Sequence, residues 1–259
     1  MTLAGKTIAS AYKSLLRVND DTNGVDAVPE RVTDGEGTSS ALRLSDDQVQ
    51  VNPVNDETTS AFSVKAQSGT QLFVVDSTNS LVKANGHSVT TQYASFHMNS
   101  TWFSTAADDT HTALAFNAQN LAAILGFGTG TDPATSFTTA EGTGTRAGEL
   151  VPCLWYVPDN IKILGVTSLE GADAATGDTT RMHLMSYTFS SGSTSALSSG
   201  TVLAYNADVT NAGSEQAYKS DWTVSSSDVS AGKVIMAFLK SDSINSDYSA
   251  SVFIKYILV

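Results

Sequence analysis

Apolar and polar residues alternate with period two through much of residues 31–84. "SALRLS" sets Leu42 and Leu44 apart from their polar neighbours, and "QVQV" does the same after "DD". Twenty residues after the first of these, "SAFSVK" repeats the pattern, with Phe62 and Val64 standing where Leu42 and Leu44 stood. "QLFVVD" and "LVKANG" follow, set off by the turns "QSGT" and "STNS". Period-two alternation punctuated by Gly, Asn and Ser predicts short strands joined by hairpin turns. Each strand offers few apolar side chains, and an isolated two-stranded ribbon is barely stable in water. The economical arrangement is a thin shaft to which several chains contribute. Its interior would come from Leu42, Leu44, Phe62, Val64, Leu72 and Val74.

From Glu149 onward the pattern becomes a regular series of longer strands. "LVPCLWYV", "IKILGVTSLE", "RMHLMSYTF", "TVLAYNADV", "QAYKSDWTV", "KVIMAFLKS" and "ASVFIKYILV" are separated by Gly, Asp, Asn and Ser clusters. Strands at such regular intervals predict a sandwich, jelly roll or related barrel. The last segment is strongly apolar and runs to Val259, so it is expected to be paired and buried rather than an exposed edge. Ahead of the ribbon, Ile8, Tyr12, Leu15 and Leu16 stand at helical spacing within residues 5–18. They predict a short helix or an extended attachment arm. In the middle, "STWFSTAADDTHTALAF" reads as strand, loop and strand. The Gly/Thr-rich stretch after "NLAAIL" reads as a long mobile loop. The expected fold is all-β: an N-terminal arm or helix (1–30), a β-ribbon shaft segment (31–86) and a jelly-roll-like β-sandwich head (87–259).

Composition narrows the function. Ser and Thr fill about a quarter of the 259 residues and charged residues only 15 %, which suits strands with polar outward faces. The formal net charge is −12, and the 14 Lys and Arg are dispersed. Such a surface repels phosphate backbones and anionic lipid, arguing against nucleic-acid or membrane-surface partners. A single cysteine, Cys153, rules out an internal disulfide and sits in an apolar run that favours a buried thiol. The N-terminus lacks the apolar core of a signal peptide and no segment reaches transmembrane length, so a soluble protein made in a cytoplasm is expected.

Candidate chemistry is sparse. "NDDTNGVDAVPE" (19–30) matches the ligand spacing of an EF-hand calcium loop at Asn19, Asp21, Asn23, Gly24 and Glu30. It departs from that loop at its Asn start, at Asp26 where an apolar residue is usual, and at Pro29. A turn is the favoured reading; calcium held by Asp21, Asn23 and Glu30 is the alternative. "GFGTGTD" (126–132) has no Lys and no parallel-sheet context, so a phosphate loop is not expected. His87, His97, His111 and His183 show no metal-ligand spacing, and no G-x-S-x-G elbow occurs. Asp108, Asp109, Asp173 and Asp178 fall in predicted loops, where solvated carboxylates are the default. Trp102, Trp155 and Trp222, with Tyr156, Tyr187, Tyr205, Tyr218, Tyr248 and Tyr256, could line a glycan-binding face. Strand aromatics are more often core.

Taken in order, "YKSLLRVNDDTNG", "ERVTDGEGTSSALRLSDDQVQV" and "AFSVKAQSGTQLFVVDSTNSLVKANG" resemble segments of tailed-bacteriophage structural proteins. So do "LWYVPDNIKI", "GDTTRMHLMSY" and "AGKVIMAFLKSDSINSDYSASVFIKY". The similarity is to fibres, spikes or head decorations, especially of marine phages; residues 104–150 lie outside it. The resemblance implies a non-enzymatic homotrimer in the virion with no cofactor. Its N-terminal region would join other virion proteins, and its head would bind a host glycan or a neighbouring virion protein. The loops 171–178, 190–200 and 240–248 are polar and poor in bulky side chains, as suits such contacts. Their candidate residues are Asp173, Thr176, Asp178, Ser193, Ser195, Asn245 and Asp247. The alternative is a monomeric glycan-binding or glycan-degrading β-sandwich protein.

Overall fold

The computed structural model describes residues 13, 15–20, 22–98, 109–117, 126–139, 147–173, 176–213, 215–242 and 247–259. The chain is almost entirely β and divides into two compact units, residues 1–90 and 91–259. Among the described residues no helix is long and apolar enough to cross a membrane.

The first unit holds two four-stranded antiparallel meanders. One comprises β1 (Arg17–Val18), β2 (Glu30–Thr33), β3 (Ser39–Leu44) and β4 (Val49–Val51), in sequence order. The other comprises β5 (Phe62–Lys65), β6 (Gln71–Asp76), β7 (Leu81–Ala84) and β8 (His87–Ser88), again in order. The helix expected over 5–18 lies mostly outside the described residues; at its end Leu15 and Leu16 are exposed and Arg17–Val18 is a strand.

Cross-strand partners share a face of the sheet. In the first meander Leu42 pairs with Val51 and Leu44 with Val49, an apolar quartet. In the second, Phe62 pairs with Val75, Val64 with Phe73, Val75 with Val82 and Phe73 with Ala84. This second face is apolar throughout, yet Phe62, Val64 and Phe73 are 44 %, 45 % and 36 % exposed. The opposite face carries Val74 and the buried Asp76. Asp76 accepts hydrogen bonds from Lys83 Nζ (2.9 Å) and Asn79 Nδ2 (3.0 Å to Oδ2), which hold its carboxyl below the usual range. The sheet thus shows its apolar side to solvent and covers its polar one. Leu72 falls at the bulge opposite Val64 and Lys65, and Val74 lies on the covered face, so Phe73 and Val75 are the β6 residues that join Phe62 and Val64. Among the described residues of this unit, only Val32 and Val74 are buried apolar side chains.

The second unit runs β9 (Thr91–Met98), β10 (Thr112–Ala113), β11 (Ala115–Phe116), α1 (Ala147–Leu150), β12 (Trp155–Tyr156) and β13 (Ile161–Asp173). It continues through β14 (Thr179–Phe189), β15 (Leu197–Tyr205), β16 (Val209–Thr210), β17 (Glu215–Asp221) and β18 (Thr223–Val224). β19 (Asp228–Val229), β20 (Lys233–Ser241) and β21 (Asp247–Leu258) complete it. One antiparallel sheet is ordered β11-β9-β21-β13-β17 and the other β10-β20-β14-β15-β18. Their inner faces interdigitate: Phe96, Ile163, Val252 and Ile254 of the first meet Met182, Leu184, Leu203 and Ile235 of the second in one core. β21 lies between β9 and β13, paired on both sides, which explains its apolar run.

β14 and β20 are apolar on both faces because the second sheet is covered twice. Its outer face, with Met185, Tyr187, Met236 and Phe238, packs against Phe127, Phe137, Leu150 and Cys153. Residues 126–139 therefore form a packed strap rather than a bare surface loop. Phe127 stacks on Phe137 at 4.4 Å, and Phe137 bridges to Leu197. The strap comes so close to β15 that a Cβ on Gly200 would stand 2.8 Å from Thr135 Cα and 2.6 Å from the Tyr187 ring. The segment "LVPCLWYV" also differs from the strand its pattern predicts. It begins as α1 and a 3-10 turn with Pro152 in its first turn, and only Trp155–Tyr156 pairs, with β20. Proline preorganises such a turn and cannot donate to a ladder.

Candidate polar cleft

The turn from β13 to β14 and that from β20 to β21 each cross from one sheet to the other at the same end of the sandwich, since Asp173 pairs with Asp247 and Thr180 with Ser241. Beside them opens a cleft of about 220 Å³. β20 is its spine. Arg181 of β14 pairs with Lys240 of β20, and Thr112 on the other side pairs with Leu239, which brings His111 and Asp109 alongside. Asp109 N donates to Ser241 O (2.7 Å).

Charged groups at the rim are matched in pairs. Lys240 Nζ lies 3.5 Å from Asp109 Oδ1 and donates to Gly130 O (3.1 Å). Arg181 Nη1 lies 3.3 Å from Asp208 Oδ1, its guanidinium 5.2 Å above the Tyr205 ring, while its buried Nε has no hydrogen-bond partner. Asp242 Oδ1 accepts from Thr179 N (2.8 Å). With Thr131, Thr179 and Thr180 these residues give the cleft a polar lining.

Two imidazoles lie under the rim. His111 and His183 are both wholly buried, with ring centroids 5.1 Å apart. His111 Nδ1 lies 3.1 Å from the Gly128 carbonyl, an acceptor, so the ring proton is on Nδ1. His183 Nε2 lies 3.3 Å from Asp132 Oδ1, but neither of its ring nitrogens makes a hydrogen bond. Burial is the main cause that pushes both below the ordinary histidine value, His183 to about 4. Deeper between the sheets, Glu170 accepts from Thr180 Oγ1 (2.8 Å) with one oxygen while the other has no partner; burial pushes its carboxyl up. Tyr248 is likewise raised to about 12, first by burial and then by Asp178.

The loops named from the sequence separate into two places. Asp173 ends β13 and Asp247 begins β21, adjacent in register; Thr176 is exposed and Asp178 half-buried in the turn between β13 and β14. Asn245 lies outside the described residues. Ser193 and Ser195 are exposed in the turn after β14, at the opposite end of that strand, where Ser193 Oγ accepts from Ser195 N (3.1 Å). Asp109, Asp132, Arg181, Asp208, Lys240 and the histidine pair come together only through sheet register, so no spacing in the chain announces them. Of the aromatics, Trp155, Trp222, Tyr187 and Tyr248 are buried, while Tyr156 is exposed and Trp102 lies outside the described residues.

The 19–30 segment links β1 to β2 in a hairpin. Asp20 Oδ1 accepts from the backbone N–H groups of Thr22 (2.7 Å) and Asn23 (3.0 Å), which lowers its pKa, and Gly24 has φ +71°. Asn23 is exposed, Glu30 half-buried, and Asp21 outside the described residues. Among the described residues no group of three or more His, Cys, Asp or Glu is placed to hold a metal ion. No protein-family model matches the chain, and no curated protein matches it.

Proposed function

We propose that the chain is a non-enzymatic structural and adhesive protein of a tailed-phage particle, self-associating through its first unit, as a homotrimer, and presenting the second. The observation that carries this reading is how little core the described residues of the first unit form: among them Val32 and Val74 are the only buried apolar side chains, while Phe62, Val64, Phe73, Val49 and Val51 face solvent. Apolar side chains at repeated positions of two meanders need a cover, and further copies of the same strands supply it. The shaft reading of residues 31–86 rests on that cover, and the N-terminal region would join neighbouring virion proteins. For the second unit, the strand order supports a jelly roll. Counting β9, β10, β13, β14, β15, β17, β20 and β21 as first to eighth, one sheet runs first-eighth-third-sixth and the other second-seventh-fourth-fifth. Viral capsid and lectin domains use that architecture. In this reading the polar cleft is where a host glycan would bind. Antibody against residues 91–259, imaged on particles released from the infected host, tests the assignment. Regular decoration of tail or capsid is expected, and unlabelled particles would overturn it.

A second reading, a monomeric glycan-binding or glycan-degrading protein, is favoured by the carboxylates of Asp109, Asp208 and Asp242 around one cleft. A folded monomer in solution selects it.

A further inference from the structure

We propose that the His111–His183 pair is an acid-sensitive latch that holds the 126–139 strap against the outer face of the second sheet. Both rings lie against the strap. His111 engages it three times: His111 N donates to Gly128 O (2.9 Å), Phe127 N donates to His111 O (2.7 Å), and Nδ1 faces Gly128 O. His183 Nε2 stands 3.3 Å from the strap's Asp132 Oδ1, a close contact without a hydrogen bond. One imidazole comes from the segment before β10 and the other from β14, so the strap is pinned from both sides of β20.

A proton on this pair has nowhere comfortable to reside. His183 faces His111 from the β10 side, Arg181 on its own strand, Lys240 from β20 and the Tyr205 ring from β15. Asp132, on the strap, is the carboxylate among the described residues that favours its charge. His111 faces the same Lys240 and Asp132. Two cationic rings at 5 Å in a buried site repel one another, and water cannot screen them while the strap is closed. Opening the strap hydrates both rings and relieves the charge.

The direction follows from linkage. Histidine in the open state titrates near its ordinary value of about 6.5, and His183 in the closed state near 4. Above pH 6.5 both states hold a neutral ring and the strap is fully latched. As pH falls from 6.5 the open state binds the proton first, so the open fraction rises about tenfold per pH unit and levels off below pH 4, roughly three-hundredfold in all and close to a hundredfold by pH 4.5. What opening uncovers is apolar: Met185, Tyr187, Met236 and Phe238, now covered by Phe127 and Phe137.

Hydrogen exchange on the full chain at pH 7.5 and 4.5, corrected for intrinsic rates, tests this. The latch predicts that protection of the Phe127, Ala134 and Phe137 amides falls about a hundredfold at pH 4.5 while β14 and β20 keep theirs. In His183→Gln that fall shrinks to a few fold. Unchanged strap protection overturns the latch, as does loss of protection in strap and strands together, or an undiminished response in His183→Gln. If His183→Gln does not fold, the imidazole titration of wild-type chain decides by NMR. A His183 ring titrating below about pH 5 in step with strap amide shifts supports the latch, and one titrating near 6.5 overturns it.

Discussion

Glu170 and His183 sit in the same sandwich with their ionisation pushed in opposite senses by one cause, burial. Glu170 has its folded pKa raised, so the folded state holds the proton longer than the unfolded one, and stability declines as pH rises above about 4.5. Glu170→Gln keeps the shape and removes the charge. It should stabilise the protein at pH 7 by on the order of 1 kcal/mol, a gain that disappears at pH 4, read from urea melts at both values. His183 has its folded pKa lowered, so its contribution is complete above pH 6.5 and lost toward pH 4, roughly 3 kcal/mol across that window. Little of this was legible in the sequence. His111 and His183 stand 72 positions apart, and each read singly is an ordinary strand or turn histidine. Only the pairing of Thr112 with Leu239 and of His183 with Phe238, on the two sides of β20, makes them neighbours.

Longer elements were far more legible. The runs that became β13, β14, β15, β20 and β21 announce themselves because strand pairing and double burial both demand apolar residues there. β21 was expected to be buried, and it is the central strand of its sheet. Deleting residues 253–259 removes Ile254 and Ile257 from the core and leaves β9 and β13 with unpaired edges. At about 1.5–3 kcal/mol for each buried aliphatic side chain, against a total of about 5–15, the truncated protein should show no cooperative melt. The strap was not legible as a packed element. Phe127 and Phe137 are ten residues apart, with no period between them, in a stretch whose Gly and Thr content signals a loop. The strap's dependence on Gly200 is likewise a matter of tertiary approach. Gly200→Ala should force Thr135 away from β15, cost about 1–3 kcal/mol in a thermal melt, and raise exchange at Phe137 before any strand of the second sheet.

At the scale of the whole molecule the contrast between the two units governs the account. Among the described residues, those of 91–259 form two core clusters and those of 1–90 form none, although both parts alternate polar and apolar residues. The alternation alone revealed strands and their shared face, because "SALRLS" and "SAFSVK" place apolar side chains at equivalent positions. What covers that face is not written in the period. Within one chain the apolar side of the second meander stays open while Asp76 and Lys83 occupy the covered side. Leu42, Leu44, Phe62, Val64, Phe73 and Val75 of three chains would together form an interior that one chain cannot, and separating the copies should destabilise residues 31–84 first. Sedimentation velocity of the full chain at micromolar concentration is the most direct test. A species of three times the 27.1 kDa chain mass is expected, falling to the single-chain mass when Phe62, Val64 and Phe73 are all changed to Ser. A folded wild-type monomer at that concentration would contradict the account.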